Sequence, residues 1–304
     1  MSLTLFTAMF GKLEGAGGIF ARDVAGYAGI EAGIYRRRGL DLSWLHVQGT
    51  EERYRRLESG AADVSFVVGR AALKHFLAGG ATRIIGSSLN SCPYRLIAAP
   101  GVAGLKDLKG KILVYRESVV QSGPLARTFQ EKAGLKIDAD LTLNPVQGDQ
   151  DAYEALVGGQ AQAALLPRQY GFLAEEKGCK GIAGWPDVVD DPLPVSIETT
   201  EKILRDKPTE LAAFLSAHGE AVRHLKTHRA ETIRMLGEKF GHAPTLAEKT
   251  FDEYLVLLDD SMTVDRRHLE NLLAQVAPDY PGGAGKLAGA WLAPGAARPQ
   301  RGPA

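Results

Sequence analysis

Cysteine is nearly absent from this chain: Cys92 and Cys179 are the only two in 304 residues. Two thiols exclude a disulfide scaffold and a cysteine-built metal cluster, and buried free thiols are the expectation. Net charge is absent too, because Lys+Arg and Asp+Glu both count 36. A balanced chain has no overall field to draw in nucleic acid or an anionic membrane, so any charge selectivity must be local. No apolar run approaches the roughly 20 residues of a membrane span. Catalytic signatures are also missing. There is no Gly-x-Ser-x-Gly elbow and no His-Glu-x-x-His helix, although His224 and His228 stand four apart and His218 precedes them. The acids Asp190-Asp191 sit in a Pro-rich loop. The cluster Gly15-Ala16-Gly17-Gly18 is not followed by the Gly-Lys-Ser/Thr of a phosphate loop, so it reads as a loop over a cleft. The residues therefore point to no catalytic set, no metal site and no cofactor.

What is present is apolar bulk and glycine punctuation. Hydrophobic residues make up 45% of the chain, enough for real cores, and the length suits about two domains. The organising stretch runs from Val24 to Val68. A helix from about Ile19 to Arg38 ends in three arginines, which suit the negative end of a helix dipole. Gly39 stops it, and a strand from Leu40 to Val47 follows. Thr50 is placed as the N-cap of the next helix, with Glu51 and Glu52 in its first turn. That helix ends at Ser59-Gly60, and Asp63 to Val68 is a buried strand. A helix stopped by glycine and followed at once by a strand, twice over, predicts an α/β layer. Before it, Leu3 to Ala8 predicts a first strand. No basic region or cleavage site marks Met1 to Phe10 as a secretory signal.

The rhythm continues downstream. A helix spans Ala71 to Ala78, and strands follow at Thr82–Ser87, Tyr94–Ala98 and Ile112–Tyr115. Ser118 to Gln121 precedes a helix carrying Leu125 and Phe129. Leu141–Val146 is a strand, Gln150–Val157 a helix and Ala161–Leu166 a strand. The step from Leu57 to Val67 is echoed by the step from Leu156 to Leu166, so two lobes share one architecture. Leu193–Glu198 reads as a strand returning to the first lobe. From Thr199 the pattern is helical, with Leu211, Phe214, Leu215, Val222 and Leu225 on one face. The expected division is residues 1–97 with 193–281, then 98–192, with a flexible Gly/Ala/Pro-rich tail over 282–304.

Four strings carry a family resemblance: Gly39-Leu40-Asp41-Leu42, Leu57-Glu58-Ser59-Gly60-Ala61-Ala62-Asp63-Val64, Leu105-Lys106-Asp107-Leu108-Lys109-Gly110-Lys111-Ile112, and Ala155-Leu156-Val157-Gly158-Gly159-Gln160-Ala161. In this order the chain resembles the solute-binding proteins of the SsuA/THI5-like, or NMT1-like, group from about Leu3 to Lys239. The resemblance implies a two-lobed periplasmic-binding-protein type II fold, each lobe a mixed sheet flanked by helices. It implies capture of a sulfonate, nitrate, taurine or thiamine-precursor type of ligand for an ABC transporter, with a permease as partner. The implied location is periplasmic for a processed chain and cytoplasmic for one that starts at Met1. The alternative is a cytoplasmic enzyme or small-molecule sensor on the same fold. The cysteine-rich iron-binding motif of the pyrimidine synthases is missing, which argues against that member. The effector half of a transcription regulator would need a helix-turn-helix ahead of the first strand, for which this chain has no residues.

In open α/β sheets a ligand sits beyond the carboxyl ends of the strands, where helices begin. Residues predicted there are Met9, Phe10, Thr50, Gly69, Arg70, Arg116, Ser118, Gln121 and Arg168. Three are arginines, whose planar fork suits carboxylate, sulfonate or phosphate, and helix N-termini add to that affinity. The competing expectation pairs these arginines at the surface with Glu51, Glu117 or Asp187. Phe10, Tyr115, Tyr170 and Trp185 are candidates to clamp an organic ligand, Phe10 first among them.

Overall fold

Runs such as Val64-Ser65-Phe66-Val67 and Ala163-Ala164-Leu165-Leu166 are apolar on both sides of the strand, as sheets covered on both faces require. The computed structural model describes residues 3–10, 23–117, 119–120, 122–189 and 192–296. The Gly15–Gly18 cluster, Ser118, Gln121 and Asp190-Asp191 lie outside the described residues. The first part of the chain forms β1 (Thr4–Phe10), α1 (Val24–Glu31), α2 (Ile34–Arg37), β2 (Leu40–His46), α3 (Thr50–Glu58), β3 (Val64–Val68), α4 (Gly69–Leu77) and β4 (Thr82–Gly86). Next come β5 (Tyr94–Ala98), a 3-10 turn (Leu105–Leu108), β6 (Lys111–Arg116), α5 (Ser122–Ala133), β7 (Leu141–Val146), α6 (Asp149–Val157), β8 (Ala163–Pro167), α7 (Arg168–Glu176), β9 (Lys180–Gly184) and α8 (Trp185–Val188). β10 (Val195–Thr200) leads into α9 (Glu201–Asp206), α10 (Pro208–Thr227), α11 (Arg229–Phe240) and α12 (Pro244–Lys249). A π-helical turn (Thr250–Tyr254) and a 3-10 turn (Leu255–Leu257) then precede α13 (Arg266–Val276) and α14 (Gly283–Trp291).

The strands form two five-stranded sheets, ordered β2-β1-β3-β10-β4 and β7-β6-β8-β5-β9. The two orders are the same once each lobe's strands are renumbered. In each, three parallel strands are followed by an antiparallel strand that has crossed from the other lobe. β10 pairs with β3 at Val195↔Val68, and β5 pairs with β8 at Tyr94↔Pro167, both antiparallel. The chain thus crosses between lobes twice. Each sheet has a core on both faces. Phe6, Ala8 and Phe10 face one core of the first lobe while Met9 faces the other. Leu113 and Tyr115 face one core of the second lobe while Val114 faces the other.

Several expectations change. The first helix is two helices, broken where Gly33 takes a left-handed φ of 65° that glycine alone adopts cheaply. Its terminal arginines are held by more than a dipole, because Arg37 and Arg38 pair with Glu220 of α10 at 3.1 and 2.7 Å. Gly49, at φ 81°, is the N-cap of α3, and Thr50 is the first helical residue. The expected lobe boundary at 97/98 falls inside β5, whose strand belongs wholly to the second sheet, so the first crossing lies before Tyr94. The expected flexible tail from 282 is in fact α14 through residue 291, with Leu287, Ala288 and Trp291 buried against the first lobe. Ala293 N–H donates to the Ile84 carbonyl at 2.8 Å, tying the segment after α14 to β4. Among the described residues no helix is long and apolar enough to cross a membrane.

Candidate ligand-binding cleft

The two crossing strands define where the lobes meet. Because β5 and β10 run antiparallel to their neighbours, their first residues lie at the carboxyl edge of the parallel strands. A cavity of about 200 Å³ opens there. The first lobe contributes Val68 at the end of β3, Arg70 and Ala71 at the start of α4, and Thr50 at the start of α3. The second lobe contributes Tyr94, Arg116 and Val119. The crossing segments add Cys92, Pro93 and Pro192 to Val195, while Leu272 and Gln275 of α13 close one side. Most of this wall is aliphatic or proline, with a few polar groups, the usual make-up of a small-molecule site. The volume falls below the ~300–1,000 Å³ typical of drug-sized ligands, so the space suits a small metabolite.

Arg70 is the distinctive group. It is 6% exposed, lines the cavity and has no hydrogen-bonding or ionic partner among the described residues; its Nη2 is buried and unsatisfied. Burial pulls its pKa below the usual arginine value. An unpaired buried guanidinium is costly, and such a group calls for an anion. The N-terminus of α4, where Arg70 sits, adds partial positive charge to the same space.

Arg116 also lines the cavity but is already engaged. Its Nη1 donates to Asp149 Oδ2 at 2.9 Å, and the Tyr94 hydroxyl donates to Asp149 Oδ1 at 2.9 Å. Asp149 opens α6, yet Asp151 caps that helix by accepting from Gly148 N–H at 2.9 Å, which leaves Asp149 to face the wall. Burial pushes the Asp149 carboxyl up while Arg116 pulls against it. Burial works against the Arg116 charge, but Asp149 outweighs it and holds the guanidinium above its usual value.

Of the predicted site residues, the structure brings Thr50, Arg70 and Arg116 together. Thr50 Oγ1 accepts from Arg53 Nη2 at 3.2 Å. Phe10 does not reach the cavity; it is fully buried, stacked on Trp44 at 5.3 Å between ring centres, because its strand alternation turns it into the core. Met9 points into the opposite core. Gly69 N–H donates to the Pro194 carbonyl at 3.1 Å, and a Cβ there would come within 2.2 Å of the Leu193 oxygen. Its backbone is spent on joining β3 to the return crossing. Arg168 lies off the cavity and faces Glu253 at 3.5 Å, beside Arg95. Burial and the Arg95 charge together lower its pKa. The partners of Arg116 and Arg168 are thus Asp149 and Glu253, not the surface acids expected. Tyr115 and Tyr170 are core residues, and Trp185 packs edge-on beneath Tyr94 at 5.8 Å. Sequence reasoning missed Tyr94, Asp149 and Gln275. The first stands at the start of an antiparallel strand, where a rule about strand exits does not look.

A family model described as NMT1/THI5 like matches residues 23–232. No curated protein matches. Among solved structures, the periplasmic aliphatic sulphonate binding protein SsuA from Escherichia coli is 15% identical, covering 83% of this chain and 79% of that one, with a TM-score of 0.65. The periplasmic nitrate-binding protein NrtA from Synechocystis is 12% identical over 94% of this chain and 85% of its own, with a TM-score of 0.69. A Candida albicans gene product described as exhibiting the generic periplasmic binding protein structural fold is 13% identical over 99% of both chains, with a TM-score of 0.65. With the model matching more than half of the chain, and two lobes crossed twice by the backbone, the protein belongs to the NMT1/THI5-like family and has the periplasmic-binding-protein fold.

Proposed function

We propose that this protein captures a small organic anion between its lobes and delivers it to an ABC importer. The observation that carries this reading is Arg70, a buried guanidinium without a partner at the wall of a cavity between two lobes. Relatives in fold named as sulphonate- and nitrate-binding proteins support a solute-binding role. The apolar wall favours an organic body over a bare oxyanion such as nitrate. Closure of the two lobes about the crossing segments would bury the ligand, as hinge motions do in binding proteins. Neighbours named as periplasmic support a periplasmic site of action. The lobes are proposed to divide at the crossings that precede Tyr94 and Val195.

Native mass spectrometry of the freshly purified protein tests this. The expected result is a small anionic adduct that is released chemically unchanged when the protein is unfolded. A bound species that the protein converts to a new mass during incubation would point to an enzyme instead. Failure to retain any member of a panel of alkyl sulfonates, carboxylates and nitrate would remove the transport reading.

A further inference from the structure

Two arginines line the cleft, yet only one presents a net charge to it. Asp149 is 4% exposed and uses both carboxylate oxygens, one on the Tyr94 hydroxyl and one on Arg116. It does not itself line the cavity. Arg70 and Arg116 are the charged groups among the described lining residues. Resting on the cleft's being an anion site, we propose that Asp149 sets its charge specificity: by neutralising Arg116 it leaves Arg70 as the single uncompensated cation, so the site takes singly charged organic anions and rejects doubly charged ones.

The physical reason is the cost of a charge left unbalanced away from water. A singly charged head on Arg70 closes with no net charge between the lobes. A doubly charged head brings one negative charge too many into a space walled by leucine, valine and proline, where unpaired charge is expensive. Arg116 cannot supply the balance without leaving the buried Asp149 carboxylate with no countercharge. Tyr94 is likewise committed, because its hydroxyl proton already goes to Asp149. Asp149 is therefore a positioning residue that acts on ligand choice through Arg116. Removing its charge while keeping its shape would free Arg116 and raise the charge of the cleft by one.

The test compares two probes by titration calorimetry. Butane-1-sulfonate is singly charged throughout, whereas butyl phosphate loses its second proton near pH ~6. For the wild-type protein the sulfonate affinity is expected to stay level between about pH 5.5 and about pH 8. The phosphate affinity is expected to fall by at least roughly ten-fold over that range as the singly charged form is depleted. In Asp149→Asn the fall should vanish or reverse, moving the phosphate-to-sulfonate ratio at the upper pH by about ten-fold toward phosphate. A wild-type phosphate affinity that holds or rises with pH overturns the proposal, and that measurement needs no variant to fold. An unchanged ratio in a folded Asp149→Asn overturns it too, while leaving the anion site in place. Binding of neither probe by the wild type removes the anion site itself, and the proposal with it.

Discussion

Arg70 and Arg168 both stand at the start of a helix that follows a buried strand, yet their surroundings differ. Arg168 faces Glu253, while Arg70 faces the cavity with no acid beside it. A second buried charge in the first lobe has a consequence for stability. Glu198 on β10 is fully buried, accepts from the Tyr54 hydroxyl at 3.0 Å, and has its pKa pushed up by burial to about 7. The unfolded chain releases this proton near the ordinary glutamate value of about 4.3. Between those two values the folded protein holds more protons than the unfolded one, so its stability falls as pH rises. The loss begins above the unfolded pKa and levels off above about pH 7. Its ceiling is on the order of 4 kcal/mol, at 1.36 kcal/mol per pKa unit. Urea unfolding at several pH values should show this decline in the wild type and a flatter profile in Glu198→Gln. Parallel profiles for the two proteins would mean that Glu198 does not titrate in that window.

Elements differ in how far local sequence determines them. Strands β3 and β8 were legible because a sheet covered on both faces demands a mostly apolar run, and each follows a helix stopped by glycine. β7 was legible despite Pro145 because it is an edge strand, where a missing N–H costs no ladder bond. β9, Lys180-Gly181-Ile182-Ala183-Gly184, was not legible; its pairing with β5 makes it a strand, and its own composition does not. α14 was hidden for a related reason. Its glycines, Gly283, Gly285 and Gly289, weaken its helical preference, and the burial of Leu287 and Trp291 holds it. Trp291→Ala is therefore expected to destabilise the protein by about 3–5 kcal/mol, as for other buried tryptophans. Chemical denaturation would measure this, and a loss under ~0.5 kcal/mol would mark α14 as a loosely attached tail. The candidate site divides in the same way. Thr50, Arg70 and Arg116 follow from the rule of strand exits, whereas Tyr94 and Gln275 reach the cleft only through antiparallel crossing and through a helix far away in sequence.

At the scale of the whole molecule, two lobes with the same strand order meet at the crossings and again through charged groups. Glu253, in the π-helical turn, lies 3.5 Å from both Arg95 and Arg168 of the second lobe, and Lys249 lies 3.5 Å from Glu175. These partly exposed pairs are each worth about 0–1 kcal/mol. Glu253→Gln is thus expected to change butane-1-sulfonate affinity by less than about five-fold, through the balance of lobe positions alone. A loss as large as that of Arg70→Ala would relocate the anion to the Arg95–Arg168 cluster. The most direct test of the central claim is calorimetric titration of butane-1-sulfonate into the wild type and Arg70→Ala. Loss of the charged hydrogen bonds of Arg70 should cost about 1.5–3 kcal/mol, a weakening of roughly ten- to a hundred-fold, while the melting temperature holds or rises because a buried unpaired charge is gone. Equal affinity in the two proteins would contradict the account.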